Sequence, residues 1–226
     1  MRQLRALLRH RASLVRVGTQ QRNRIHAVAA DHGYDRSASY WTGPGRGWLA
    51  ELDLPPASRE IVTDCLAVID GLAPVIDRID GELHQHARGD PRVTVLRTLP
   101  GVGEFTALVM VAEIGDITRF GSARKLASWA GLTPTVRGSD LTVRHGHSSK
   151  QGSAWLRWAL NQAAQTAKRS PEFAASYAAI AKRRGKKIAT IAIARKLLTR
   201  AYHLLAAQAA SAAGTTGDAP ADQGGR

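Results

Sequence analysis

Residues 96–116 read LRTLPGVGEFTALVMVAEIGD and place a Pro-Gly-Val-Gly turn between two apolar segments of helical character. Gly101 and Gly103 let the backbone turn sharply and approach a ligand closely. The free amides that begin the following helix can then hold a phosphate. The pattern is typical of a helix-hairpin-helix, a binder of the DNA backbone, and the alternative is a tight turn whose glycines serve only packing. The stretch predicts an α-helical fold with Gly101 and Gly103 as candidate DNA-binding residues.

Helical periodicity continues on the amino-terminal side of this turn. Residues 2–31 place leucines among arginines, which predicts an amphipathic helix with one basic face. From Ser58 to about Ala87, apolar residues recur three or four apart, although Pro74 should kink or interrupt the helix. This stripe serves either a coiled coil between two copies or packing within one chain. Its members are Cys65, Ile69, Leu72, Ile76, Ile79 and Leu83.

Charge is distributed unevenly along the chain. The net charge is +14, and it divides into +7 for residues 1–30, −6 for residues 31–120 and +13 for residues 121–226. A basic surface of this size predicts a polyanionic partner, most simply nucleic acid, with phosphate contacts from both ends of the chain. A basic ribosomal or membrane-surface protein is the alternative.

The composition also excludes several classes of protein. One cysteine, Cys65, rules out an internal disulfide framework and fits a reducing compartment. No signal peptide is recognisable, and the longest apolar stretches are too short to span a bilayer. The eight histidines lack the spacing of metal ligands. We therefore predict a cytoplasmic protein with no membrane contact and no metal or cofactor bound within this chain.

Residues 138–157, GSDLTVRHGHSSKQGSAWLR, combine four serines with a dense set of basic side chains. We interpret Ser148, Ser149, Lys150 and Arg157 as phosphate contacts in a polar loop, with a capping role as the alternative for the two serines. Ser153 precedes an apolar helical stretch and is the expected cap of that helix. Three of the tryptophans are predicted to lie in the core, because they fall on apolar helix faces. They are Trp129, Trp155 and Trp158.

Four motifs occur in order along the chain: PGVG, FGSARKLASWAGLTP, GHSSKQGSAWLRWAL and RRGKKIATIAIARKLL, which begin at residues 100, 120, 146 and 183. Together they closely resemble the C-terminal transposase domain of the insertion-sequence one-ten family. The stretch LRALLRHRASLVRVGTQQRNRIHAVAADHG is similar to the helix that follows that family's RuvC-like nuclease domain. The resemblance covers about residues 2–205 and implies an enzyme that cuts and joins DNA through a covalent phosphoserine link.

The resemblance also implies which residues react. The family's nucleophilic serine follows its Gly-Leu-x-Pro motif and precedes its Lys-x-Gly motif, and the matching residue is Ser139. Asp140 stands where the family usually has glycine. Arg137, Arg144 and Lys150 are the cations expected to stabilise charge on the reacting phosphate. The alternative function is a non-catalytic DNA-binding protein of helix-hairpin-helix type, or a transposase remnant.

The same resemblance implies a metal cofactor and several partners. The family's nuclease domain supplies four metal-binding acids upstream of the helix with which this chain begins, so Mg2+ is expected in the intact enzyme and this chain alone is expected to be truncated and inactive. DNA, a structured bridge RNA and a second copy of the chain are the implied partners.

From periodicity and composition along the chain, we expect three regions. They are a basic helix with a coiled-coil-like linker (1–90), a helical catalytic and DNA-binding domain (91–205) and a disordered tail (206–226).

Overall fold

The computed structural model describes residues 1–139 and 142–216. This part of the chain is mostly α-helical, which confirms the predicted fold class. It divides into two compact units, one of residues 6–82 and one of residues 1–5 with the chain from Leu83 onward. The division falls inside a helix, whereas the sequence predicts a boundary after residue 90.

Three helices precede residue 90: α1 (Arg2–Asp31), α2 (Gly43–Glu51) and α3 (Pro56–Arg88). Pro74 lies inside α3 and does not end it. Within the unit of residues 6–82, α1 and α3 run antiparallel. Arg11 Nε donates to Asp80 Oδ1 at 2.9 Å, and farther along Cys65 Sγ donates to Gln21 Oε1 at 3.2 Å.

The apolar stripe of α3 is used inside the chain. Cys65 and Ile69 are buried in one core with Ile25 and Val28 of α1 and Leu49 of α2. Of the two alternatives for this stripe, packing within one chain therefore explains the burial of Cys65 and Ile69. Self-association through α3 stays a prediction.

The second unit contains six helices and one sheet in its described part. A 3-10 turn, Ile117–Arg119, lies between the second and third of these helices. The elements are α4 (Pro91–Leu96), α5 (Glu104–Ile114), α6 (Ala123–Trp129), β1 (Pro134–Ser139), β2 (Thr142–Ser148), α7 (Ala154–Ala167), α8 (Pro171–Arg184) and α9 (Lys186–Thr216).

Helix α9 lies at the centre of this unit and packs against α4, α6, α7 and α8. Its buried apolar residues recur at the spacing of one helical face. They are Ala189, Ile193, Ala194, Leu197, Leu198, Ala201 and Leu205. The facing side of α7 is rich in buried alanines, including Ala159 and Ala163, and such small side chains allow close helix approach.

Two expectations need correction. Helix α9 continues to Thr216, so residues 206–216 of the expected tail are helical, because this alanine-rich stretch has high helix propensity. Residues 217–226 lie outside the described residues. Residues 138–157, predicted as a polar loop, contain the end of β1 and all of β2, which form an antiparallel hairpin. None of the helices in the described ranges combines the length and apolarity needed to cross a membrane.

Candidate functional site

The hairpin of β1 and β2 holds the predicted nucleophile. Its register places Arg137 opposite Arg144 and Ser139 opposite Thr142, with an irregularity between Pro134 and Val136. Ser139 is the last residue of β1, so its backbone lies at the end of the strand that is farther from Pro134. The side chains of Arg137, Ser139 and Arg144, and the neighbouring Asp140, lie outside the described part of the structure. Their assigned roles stay predictions.

Two glycines hold together the chain segments at the base of the hairpin. Gly131 has a φ of 71° and Gly152 a φ of 77°. A Cβ at Gly131 would overlap the carbonyl of Gln151, and a Cβ at Gly152 would overlap the carbonyl of Trp129. Only glycine allows this approach and this backbone conformation together. We call residues 129–131 with 150–152 the glycine clamp.

Backbone and hydroxyl hydrogen bonds complete the base of the hairpin. The Lys150 amide donates to the Gly131 carbonyl at 3.2 Å, and the Ser149 amide donates to the Thr133 carbonyl at 2.9 Å. Ser148 Oγ also donates to the Gly131 carbonyl, at 2.6 Å. The Ser148 hydroxyl thus has a structural partner, which the sequence prediction of a phosphate contact did not anticipate.

Lys150 is exposed and adopts a φ of 54°. A left-handed conformation is uncommon for a residue other than glycine, and such residues are enriched at functional sites. Here the conformation directs the chain from β2 into the glycine clamp. The Lys150 ammonium group remains available to a ligand.

Arg157 serves the fold with one of its terminal nitrogens. Its Nη1 lies 2.7 Å from the carbonyl oxygen of Gln151, 3.0 Å from that of Gly152 and 3.3 Å from that of Ala130. Ser153, one turn earlier, caps α7 by accepting the Leu156 amide at 3.2 Å, as the sequence predicted. Arg157 therefore joins α7 to both sides of the glycine clamp, whatever its other nitrogens bind.

The turn between α4 and α5 places its two glycines differently. Gly101 has a φ of 75°, and a Cβ there would overlap the Ala163 carbonyl of α7, so packing alone requires glycine. Gly103 precedes α5 with open space around its α carbon and no side-chain cap. Glu104 follows it. Its Oε1 accepts a hydrogen bond from His84 Nδ1 at 3.0 Å, and its Oε2 forms an ion pair with Arg97 Nη1 at 3.5 Å.

The tryptophans only partly follow the core prediction. Trp158 is 44% exposed, so the prediction is wrong there. It contacts Phe105 and Trp155 edge-on, with ring centroids 6.3 and 5.5 Å apart. These three rings form an aromatic row on the surface of α5 and α7. Its helical spacing is the same as that of a core face, which is why sequence reasoning misassigned it.

No group of three or more histidine, cysteine, aspartate or glutamate residues in the described ranges is placed to hold a metal ion. The carboxylates of these ranges therefore do not form a site for the Mg2+ that the resemblance implies.

One basic segment lies within the basic carboxy-terminal part of the chain, but none of its residues is among the predicted DNA contacts. Residues 182–187 read KRRGKK and join α8 to α9 through Gly185. The density of charge, five basic residues in six, is the feature of the sequence that could have identified this segment as a binding surface.

Comparison with known proteins identifies related sequences. Residues 93–178 match the profile of the Transposase IS116/IS110/IS902 family, which confirms the resemblance seen in the motifs. A "Probable family 20 transposase" of Pseudomonas aeruginosa is 31% identical over 104 residues, which cover 46% of this chain and 31% of that protein.

Two further relatives extend the comparison. A "Pilin gene-inverting protein" of Moraxella bovis is 34% identical over 139 residues, covering 58% of this chain and 43% of that protein. The "Transposase for insertion sequence element IS1111A" of Coxiella burnetii is 27% identical over 219 residues, covering 91% of this chain and 59% of that protein. The chain thus spans between about a third and three fifths of the length of these relatives.

Proposed function

Because residues 93–178 match the IS116/IS110/IS902 transposase family, we propose that this chain takes part in cutting and joining DNA, with Ser139 as the attacking residue. The observation that supports the proposal best is the glycine clamp. It joins the chain before β1 to the chain after β2, so both ends of the hairpin are held against α6 and α7. A nucleophile needs such a fixed support, because small displacements of a reacting group lower the rate steeply.

The proposed reaction is an exchange of phosphate esters. Ser139 Oγ attacks a DNA phosphorus, an O–P bond forms, and the bond from phosphorus to one deoxyribose oxygen breaks. The serine proton leaves Oγ, and the departing deoxyribose oxygen takes up a proton to become a hydroxyl. A hydroxyl of a second DNA end then attacks the phosphoserine and releases Ser139. The number of ester bonds is unchanged, so no oxidant or energy source is required.

The cations near the hairpin fit this chemistry. Arg137 and Arg144 occupy opposite positions of the two strands, where like charges repel each other. A phosphate that binds between them would remove that repulsion. Lys150, exposed at the base of the hairpin, adds a third positive charge. Charge placed in advance where the transition state becomes negative is the main source of catalysis in such reactions.

We also propose that the α4–α5 turn contacts the DNA backbone in the manner of a helix-hairpin-helix. The open space beside Gly103 leaves room for a phosphate at the start of α5, where the first amides of a helix lack backbone partners. The Glu104 carboxylate would oppose an anion there, but its pairing with Arg97 offsets that charge. Gly101 supports the turn from below by packing on α7.

A complementation assay tests the role of Ser139. An intact family relative whose own nucleophilic serine is replaced by alanine would be mixed with this chain, Mg2+ and a nicked DNA substrate. The relative contributes its metal-binding acids and cannot itself form the adduct. We expect a protein–DNA adduct at the mass of this chain, and Ser139→Ala should remove it. Without the relative, we expect DNA binding and no adduct.

Ser149→Ala is the matched control, because Ser149 is only partly exposed and engages the fold through its amide. Ser148→Ala is less suitable, since its hydroxyl donates to the Gly131 carbonyl and its removal weakens the clamp. An adduct that survives Ser139→Ala and disappears with Ser149→Ala would show that Ser149, and not Ser139, is the attacking residue. DNA binding with no adduct under any condition would favour the alternative, a non-catalytic DNA-binding protein.

A further inference from the structure

The junction of α8 and α9 gathers positive charge that the fold does not use. We call residues 182–187 the basic corner; its five charged side chains are all exposed. None of the five has a carboxylate within ion-pair distance among the described residues. Elsewhere in the same unit, by contrast, Arg92 pairs with Asp90 and Arg200 pairs with Glu172.

The position of two of these cations costs stability. Lys182, Arg183 and Arg184 lie in the last turn of α8, where the helix dipole favours positive charge. Lys186 and Lys187 lie in the first turn of α9, where the dipole and the unpaired amides favour negative charge. Two lysines at that end repel the helix terminus and each other. An anion bound at the corner would turn this repulsion into attraction.

A groove runs from the corner toward the hairpin. It has a volume of about 630 Å³ and lies between α9 and the base of the hairpin. Leu132 and Pro134 form one wall, and α9 forms the other. Ile188 and Ile191 line it and are 50% and 40% exposed. Arg195, one helical turn farther along α9, places another cation on the same wall.

We propose that the basic corner and this groove bind the sugar–phosphate backbone of DNA and lead it to the hairpin that carries Ser139. Cations that lack protein partners at the entrance suit phosphates, and the exposed isoleucines suit the apolar faces of deoxyribose. The inference rests on the proposed function, because it takes DNA as the polyanion. It adds the path by which the strand approaches the hairpin.

The first test measures the dependence of DNA affinity on salt. The full chain and the variant Lys182→Gln/Arg183→Gln/Lys186→Gln/Lys187→Gln would be titrated with a labelled duplex at several salt concentrations. Each phosphate contact contributes about 0.9 to the slope of log affinity against log salt. We expect the slope to fall by about three to four in the variant, and the affinity to drop at least about tenfold at physiological salt.

The matched control removes four exposed cations from other places in the same unit. It is Arg88→Gln/Arg124→Gln/Lys125→Gln/Arg169→Gln, and all four of these side chains are exposed. We expect its slope to change by less than about one. Equal slopes for the two quadruple variants would overturn the proposal, because general attraction by net charge would then explain the binding.

A second readout separates binding from folding. Lys186→Gln/Lys187→Gln should raise the urea midpoint of unfolding slightly, because the repulsion at the first turn of α9 is relieved. The same variant should bind DNA more weakly. A lower midpoint together with weaker binding would mean that the lysines support the fold, and the proposal would be wrong.

The groove has its own test. Ile188→Glu/Ile191→Glu places two carboxylates beside the proposed backbone path, and Val68→Glu/Val75→Glu adds the same charge at exposed valines of α3. We expect at least about a tenfold loss of affinity from the first variant beyond that of the second. Equal losses would remove the groove from the path. Because all four side chains are exposed, both variants should fold.

Two outcomes distinguish this inference from the function it rests on. Normal DNA binding and adduct formation by the corner variant would refute the corner and leave the role of Ser139 standing. A full chain that binds no duplex DNA would refute both. Tighter binding of an RNA of the same sequence, with a loss that follows the corner substitutions, would assign the surface to RNA and also overturn the proposal.

Discussion

Arg157 and Lys187 are both basic residues of the same unit, and each lies in one of the four motifs that carry the family resemblance. Yet Arg157 directs a terminal nitrogen at three backbone carbonyls, and Lys187 projects from the first turn of a helix with no carboxylate partner among the described residues. The first stabilises the glycine clamp, while the second opposes the dipole of its own helix. Arg157 therefore stabilises the folded chain, whereas Lys187 makes no stabilising contact within the described residues and is available to a partner.

The difference changes how a basic sequence should be interpreted. Among the predicted phosphate contacts, Ser148 has an internal partner and Arg157 uses Nη1 within the fold. The predicted phosphate contacts include no residue of the basic corner by number, although its cations are left exposed. A cation placed where it lowers stability is a stronger sign of an anionic partner than a cation that merely lies in a motif.

The largest effect should come from breaking the glycine clamp. Gly152→Ala puts a Cβ into the Trp129 carbonyl and forces a non-glycine residue to a φ of 77°. We expect the free energy of unfolding to fall by about 4 kcal/mol or more, measured by urea denaturation.

Gly185→Ala is the control in the basic corner. Gly185 has a φ of 85° and no atom within 4 Å of the added Cβ, so only the backbone conformation is penalised, by about 1–3 kcal/mol. If both alanine variants lose the same stability, close backbone approach does not account for the clamp.

A smaller effect on the free energy of unfolding should distinguish Arg157, which bonds within the fold, from Lys187, which does not. Arg157→Ala removes a charged donor from three carbonyls and should lower the free energy of unfolding by about 2 kcal/mol. Lys187→Ala should change it by less than about 0.5 kcal/mol. The salt slope of DNA binding should respond in the opposite order. A large loss of stability from Lys187→Ala, or none from Arg157→Ala, would contradict the distinction.

Local signals in the sequence predicted much of the fold. Leucine and arginine periodicity predicted α1, and the stripe of Cys65 and Ile69 predicted α3. Ser153 was identified as a helix cap, because a cap depends only on its own first turn. Such features are set within a few residues, so periodicity and residue type are sufficient to find them.

The features that sequence reasoning missed depend on distant contacts. Arg157 reaches a carbonyl 27 residues earlier, and Ser148 reaches one 17 residues earlier. No local pattern indicates whether a side chain meets a carbonyl or a phosphate. The hairpin was missed for another reason. Its two strands repeat Thr-Val-Arg, a β-branched pattern that favours strands, but glycines and serines around it also favour a loop.

The smallest expected effect concerns Arg92, which pairs with Asp90 at the start of α4. Burial raises the pKa of Asp90, but hydrogen bonds from the side chain and the backbone amide of Arg92 outweigh it, so the pKa lies below its ordinary value. Arg92 Nε donates to Asp90 Oδ1 at 2.9 Å, and its amide donates to the same oxygen at 3.0 Å, which caps α4.

A carboxylate with a lowered pKa stabilises the folded state above the pKa of the unfolded chain, about 3.9 for aspartate. That stabilisation is lost as the pH falls below about 4, through the lower pKa of the folded state. Asp90→Asn keeps an oxygen that can accept the Arg92 amide but removes the charge. We expect the variant to be slightly less stable at pH 7 and the difference from the original chain to vanish near pH 2, as measured by urea denaturation across this range. Its salt slope for DNA binding should be unchanged, because this pair, unlike the basic corner, has its partner within the fold. A difference that is constant with pH would mean that the cap alone, without its charge, holds the start of α4.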